Sequence, residues 1–187
     1  MNILSVNIRG FKQDGKEDWF KRMVSSSSPV VAAIQETKCK YANNQWIEFL
    51  WGSQDVGYAF KQSNGKSGGL LLVWDSNVFV VDQAVEGEFF LAIKGKLYEY
   101  DTEIVVVNVY RPHNDAKKKR FWSSLYDLLR FDNVARVLCG DFNEVRFDSK
   151  RKNIVFIDSR ASRFNKFILY NGLLEIQLLG KKVYTHL

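Results

Sequence analysis

Asp141 and Asn143 stand two residues apart in the segment Gly140-Asp141-Phe142-Asn143-Glu144, where a short apolar run gives out. A carboxylate so placed can take a proton from water or bind a hard cation, and a nearby carboxamide can orient that water or a phosphoryl oxygen. The chemistry this suits is phosphate ester hydrolysis, and Gly140 lets the backbone bend and come close to a ligand. Alone, such a pair is more often a solvated turn, because Asp and Asn bond their own backbone there. Three further residues keep it company. Asn7, Glu36 and Tyr110 also close apolar runs, and each can bind a metal, a phosphate or a nucleophilic water. Taken singly they are a turn former, a surface carboxylate and a rim tyrosine. If strand ends from two packed sheets converge, all of them share one cleft at a sheet rim, where ligand sites of such folds lie.

The elements that must position them follow from periodicity. Alternation predicts a strand over 1–7, ended at the turn Asn7-Ile8-Arg9-Gly10. Trp19, Phe20 and Met23 give residues 16–24 helical spacing, and Pro29 closes that segment before the buried run 30–35. Short strands are predicted over 56–60, 69–74, 78–82, 88–93 and 96–100, parted by turn signals such as Asn64-Gly65 and Lys94-Gly95, and together they read as an antiparallel meander. The most β-branched run, 103–110, ends at Tyr110-Arg111-Pro112. Residues 117–130 set Phe121, Leu125, Leu128 and Leu129 on one helical face, and a strand over 134–139 leads into Asp141.

A chain of 187 residues with 46% apolar content can bury one good core, and the whole of 1–187 reads as a single domain. There is no run of 18 apolar residues and no basic, hydrophobic leader, so neither a membrane span nor a secretory signal is expected. Cys39 and Cys139 lack metal-ligand spacing and read as reduced thiols in a reducing, intracellular compartment. The net charge of +6 is unevenly spread: residues 1–110 carry 11 Lys and Arg against 13 Asp and Glu, residues 111–187 carry 16 against 8. The basic clusters Lys117-Lys118-Lys119-Arg120 and Lys150-Arg151-Lys152 flank Asp141 and, unless they merely solvate the surface, favour a polyanion such as nucleic acid.

In order along the chain, Ser5-Val6-Asn7-Ile8-Arg9-Gly10, Ile34-Gln35-Glu36-Thr37-Lys38, Gly68-Gly69-Leu70-Leu71-Leu72-Val73, Asn108-Val109-Tyr110-Arg111-Pro112-His113 and Gly140-Asp141-Phe142-Asn143-Glu144 resemble the endonuclease/exonuclease/phosphatase superfamily. With Phe164-Asn165-Lys166-Phe167-Ile168 and Leu173-Leu174-Glu175-Ile176-Gln177, they look most like the endonuclease domain of plant non-LTR, LINE-type retrotransposons. The resemblance implies an α/β fold, a four-layer sandwich of two mostly antiparallel sheets flanked by helices. It implies Mg²⁺-dependent (or Mn²⁺-dependent) hydrolysis, with Glu36 the metal ligand, Asn7 beside the metal, Tyr110 on the scissile phosphate, Asp141 activating water and Asn143 orienting it. One carboxylate can suffice, because Mg²⁺ keeps waters and takes few protein ligands. Arg9, Lys38 and the two basic clusters are then expected to contact DNA, or RNA, in a monomeric nuclear enzyme.

The family pattern continues past Tyr184-Thr185 with an aromatic residue, an aspartate and a closing Ser-Asp-His. Here His186 stands at the aromatic position and Leu187 follows. The expectation is therefore a C-terminally truncated domain in which neither His113 nor His186 takes the closing role. Loss of one preorganised electrostatic donor costs about 10² to 10³ in rate. Two other readings stay open: a nucleic-acid-binding remnant without turnover, and a phosphatase of the same superfamily acting on a small molecule or lipid.

Overall fold

The computed structural model describes residues 1–65, 67–100, 102–111, 115–129, 134–144, 146 and 158–176, arranged as two compact units, Met1–Asn143 and Glu144–Leu187. The first unit carries β1 (Ile3–Asn7), α1 (Lys16–Ser27), β2 (Val31–Gln35), α2 (Asn44–Trp51), β3 (Val56–Asn64), β4 (Ser67–Asp75), β5 (Phe79–Glu86), β6 (Phe90–Leu97), β7 (Glu103–Tyr110), α3 (Asp115–Leu129) and β8 (Ala135–Asp141). These strands form two four-stranded sheets, ordered β1-β2-β4-β3 and β5-β6-β7-β8. β1 runs parallel to β2 and β7 parallel to β8, while the remaining pairs are antiparallel. Among the described residues no helix is long and apolar enough to cross a membrane.

Period-two alternation sorts the strand side chains between two cores. Val31, Ala33, Leu70, Leu72, Phe79, Leu91, Ile93, Ile104 and Val106 fill the space between the sheets. Their sequence neighbours Ala32, Ile34, Leu71 and Val73 face the opposite way and bury Phe20, Val24, Ile47 and Leu50 of α1 and α2. On the far side, Phe121 of α3 meets Phe89 edge to face at 5.8 Å. The layers are thus helices, sheet, sheet, helix, the expected α/β sandwich. α1 carries Glu17 and Asp18 in its first turn, where carboxylates favour the positive end of the helix dipole.

Three differences from the sequence reading have plain causes. The 56–100 stretch is no single meander: the chain leaves the first sheet at Asp75 and enters the second at Phe79, so β4 and β5 belong to different sheets. Lys94-Gly95 is no turn but the middle of β6, where a Cβ on Gly95 would lie 2.1 Å from the Val80 carbonyl oxygen beside the Val81/Gln83 bulge. Glycine there permits a close strand approach. Finally, α2 was not anticipated, although Asn43 caps it by accepting from the Trp46 amide at 2.9 Å and Gly52 stops it.

In the second unit, α4 (Asp158–Tyr170) buries Ala161 and Phe167. Arg146 donates to Asn165 Oδ1 at 2.9 Å and to Glu175 Oε2 at 2.8 Å, and Asn165 returns a bond to the Arg146 carbonyl at 3.1 Å. The segments around residues 164 and 175 are thereby tied to Arg146 by a polar clasp.

Candidate active site

The parallel pairings bring four strand ends to one rim. Asn7 of β1 lies opposite Gln35 of β2, and Tyr110 of β7 lies opposite Asp141 of β8. β1 stacks on β8 and β2 on β7 across the inter-sheet core. The Asn7 carboxamide then donates to both carboxylates, to Glu36 Oε1 at 3.0 Å and to Asp141 Oδ2 at 3.0 Å. Sharing one nitrogen, those two oxygens are at most about twice that distance apart, within reach of one hydrated cation and its water. Asn143 presents its amide to Asp141 Oδ1 at 2.9 Å, so both oxygens of Asp141 are held. All five residues singled out as catalytic or metal-binding in the sequence meet at this rim.

The backbone is bent to achieve this. Arg9, Glu36, Lys38 and Asn143 are non-glycine residues with φ of 56, 54, 54 and 47°, in the left-handed region that costs side-chain-bearing residues about 1 kcal/mol or more. At Glu36 the bend breaks strand alternation, which would otherwise carry its carboxylate toward the helix side with Ile34. It is held by Thr37 and Lys38, whose amides donate to the Gly69 and Gly68 carbonyls at 3.1 Å each. That is what the Gly68-Gly69 motif does here: it supports the turn bearing Glu36. Gly140, at φ 126°, packs so tightly on β7 that a Cβ would fall 2.1 Å from the Val109 carbonyl oxygen.

Sequence reasoning missed the polar groups behind the rim. Gln35, buried between the sheets, donates to Asn108 Oδ1 at 2.6 Å, and Asn108 Nδ2 bonds the Ile34 and Leu71 carbonyls at 3.0 and 3.1 Å. Both lie inside the quoted motifs, but a strand-interior amide carries no outward signal of its partner. Arg111, 1% exposed, was missed too; a lone arginine closing an apolar run was the available hint.

The expected nucleic-acid contacts divide. Arg9, Lys117, Lys119 and Arg120 are exposed and Lys38 is half-buried, with Arg120 paired to Glu88 at 3.2 Å. Lys118 corrects the reading: it is 7% exposed, because helical spacing sets it on the same face as Phe121, Trp122 and Leu125. Lys150, Arg151, Lys152, His113 and His186 lie outside the described residues.

Burial of the Tyr110 ring, then the Glu36 charge and a hydrogen bond with its carboxylate, then Asp141, push the phenol from its ordinary value near 10 up to about 12. The hydroxyl therefore keeps its proton throughout the neutral range and is available as a donor. Its raised value favours the neutral form in the folded state, so the associated stability is complete below pH 10 and lost as pH rises from 10 to about 12. In ultraviolet titration of the eight tyrosines, Tyr110→Phe is expected to remove a late-titrating component near pH 12; an unchanged late phase would contradict this.

Among the described residues no group of three or more His, Cys, Asp and Glu side chains gathers to hold a metal. The two carboxylates nevertheless suit a hard cation that retains most of its waters and takes oxygen ligands from substrate. Glu36 would hold it, beside Asp141.

Residues 4–176 match the endonuclease/exonuclease/phosphatase family, and the chain belongs to it. Among solved structures it is similar to the AP endonuclease LMAP of Leishmania major, with a TM-score of 0.68 and 13% identity over 91% of this chain and 66% of that one. An AP endonuclease from Archaeoglobus fulgidus gives a TM-score of 0.64 and 17% identity over 91% of this chain and 70% of that one. The 3′ phosphatase NExo from Neisseria, bound to a product DNA hairpin, gives 0.57 and 13% over 80% and 60%. This chain thus spans a little under two thirds of the length of several such relatives. Among curated proteins none matches it. Members of the family are hydrolytic nucleases and phosphatases, and the fold seen here is theirs.

Proposed function

We propose that this chain is a divalent-metal-dependent phosphodiester hydrolase that nicks DNA, the endonuclease domain of a plant LINE-type retroelement acting in the nucleus as a monomer. The observation that carries the hydrolase reading is the Asn7 amide bridging Glu36 and Asp141 at 3.0 Å each. A bound Mg²⁺ or Mn²⁺ would neutralise charge on the phosphoryl oxygens and lower the pKa of nearby water. The chain's own residues do the rest. Asp141, with both oxygens oriented by Asn7 and the Asn143 amide, accepts the proton of the attacking water. Tyr110, protonated at neutral pH, donates to a phosphoryl oxygen as charge builds there. Asn7 fixes the spacing of the two carboxylates, so neither must reorganise during the reaction. A LINE-type origin is supported by the spellings Phe164-Asn165-Lys166-Phe167-Ile168 and Leu173-Leu174-Glu175-Ile176-Gln177.

A phosphomonoesterase is the second reading, favoured by the likeness to a 3′ phosphatase. Both are tested by incubating the chain with supercoiled plasmid and with a 3′-phosphorylated oligonucleotide, in Mg²⁺, Mn²⁺ or EDTA. Metal-dependent nicking supports the endonuclease, phosphate release alone supports the phosphatase, and tight binding without either product supports a remnant that only binds. The same DNA should bind with marked salt dependence. With about three phosphates met by Lys117, Lys119 and one of Arg9 or Lys38, the log-log slope is expected near roughly −3. Lys117→Glu with Lys119→Glu should flatten it by about 2, whereas Lys118→Met, at a buried position, should leave it unchanged. A slope unaffected by the double change would remove α3 from the interface.

A further inference from the structure

Arg111 is buried to 1% exposure immediately after Tyr110. Its main-chain amide donates to the Asp141 carbonyl at 2.9 Å. Its own carbonyl accepts from the Asn143 carboxamide at 2.9 Å. Its guanidinium Nη1 donates to the Phe142 and Asn143 carbonyls at 3.3 and 3.0 Å, and the group lies 6.0 Å from the Trp122 ring. One residue therefore grips residues 141, 142 and 143 through side chain and main chain together.

The turn it grips is one that an asparagine adopts at a cost. Asn143 sits at φ 47°, and in that conformation its amide reaches Asp141 Oδ1 at 2.9 Å. The Asn143 carboxamide is engaged with the Arg111 carbonyl, so its side chain braces the turn while its main chain orients the aspartate. The sequence reading has the carboxamide orient water; here its nitrogen serves the Arg111 carbonyl. A planar guanidinium presents donors in a fixed fork and suits neighbouring carbonyls in a way a lysine ammonium does not.

We propose that Arg111 is the positioning residue of this site: it holds the left-handed turn at Asn143 and thereby sets the orientation of the Asp141 carboxylate toward the substrate phosphate. It touches no reacting atom. The kinetic consequence rests on the hydrolase reading above; the structural consequence does not.

The test compares wild type, Arg111→Lys and Arg111→Met by hydrogen exchange of assigned amides and, with Mg²⁺ and plasmid or phosphorylated oligonucleotide, by steady-state kinetics. In Arg111→Lys the Asn143 amide is expected to exchange at least about tenfold faster while amides of Val107 and Leu138, inside the β7–β8 pairing, keep their protection. kcat should fall by about 10- to 100-fold with KM within about twofold, since misplacing a catalytic group by about an ångström costs rate rather than ground-state binding. Arg111→Met should lose at least as much. A folded Arg111→Lys protein with unchanged Asn143 exchange, or with kcat near wild type, overturns the proposal. Loss of protection spread evenly over β7 and β8 also overturns it, in favour of a general structural role. Should neither variant fold, the wild type decides: an Asn143 amide exchanging as fast as open chain contradicts the grip. A wild type without hydrolysis sinks the proposed function but leaves the exchange arms standing.

Discussion

Asp141→Ala is expected to lower metal-dependent hydrolysis by at least about 10³-fold, since a positioned general base supplies roughly 10² to 10⁴ and this one also orders its neighbours. The carboxylate is held on both sides, by Asn7 at Oδ2 and by the Asn143 amide at Oδ1. Its removal leaves the Asn7 amide with Glu36 alone. Asp141→Asn separates the two functions. Its oxygen can still accept from the Asn143 amide, but its nitrogen would then face the Asn7 nitrogen, donor against donor, and it cannot take a proton. The isosteric change should therefore cost about as much as the truncation. Glu36→Gln keeps an oxygen for Asn7 and loses the charge, so its signature differs: the Mg²⁺ or Mn²⁺ concentration for half-maximal rate should rise by about tenfold or more, with a smaller fall in the saturated rate. Single-turnover plasmid nicking measures both quantities. An Asp141→Ala protein retaining more than about a tenth of the wild-type rate would place the base elsewhere.

The strand ends were legible because each is an apolar run halted by a polar residue, and that contrast survives in the sequence alone. β7 was read over the residues it occupies, and Asn7, Glu36, Tyr110 and Asp141 were located by the same rule. In the sequence, convergence rests on the supposition of two packed sheets and on the family resemblance; the parallel registers of β1 with β2 and β7 with β8 are what deliver it. Most of the illegible features have their cause elsewhere in the chain. Gly95 looks like a turn until Val80 is seen against it. Lys118 looks like part of a basic patch until its helical face is known to be buried. The step from Asp75 to Phe79 resembles any tight connection, although it changes sheets. Arg111 would be read as another surface cation from charge counts, yet its partners lie at 141–143.

Asn108→Ala is the substitution expected to cost the fold most for its size. Asn108 is fully buried between the sheets and accepts from Gln35 at 2.6 Å while donating to Ile34 and Leu71. It is a staple from β7 of one sheet into β2 and β4 of the other. Hydrogen bonds of this kind contribute about 0.5 to 1.5 kcal/mol each, and orphaning a buried amide such as that of Gln35 costs about 1 to 3 more. The sum is about 2.5 to 7.5 kcal/mol, which for a chain of this size lowers Tm by at least roughly 5 to 10 °C. Urea unfolding should show the loss in the midpoint with an unchanged slope. The partner change carries the sharper consequence. Pairing Asn108→Leu with Gln35→Met removes the Gln35–Asn108 bond from both sides, so neither amide is orphaned, although the Ile34 and Leu71 carbonyls still lose the Asn108 donor. The double variant should therefore recover the part of the loss that comes from the orphaned partner, giving a coupling of about 1 to 3 kcal/mol. Because Gln35 adjoins Glu36 and Asn108 lies two residues before Tyr110, the same pair also fixes the separation of the two sheets where the site opens. The stable double variant should then still lose hydrolysis, by about tenfold or more, as misplaced catalytic groups do. If it regains stability and activity together, the staple serves the core alone and the rim is positioned by the Asn7 bridge without it.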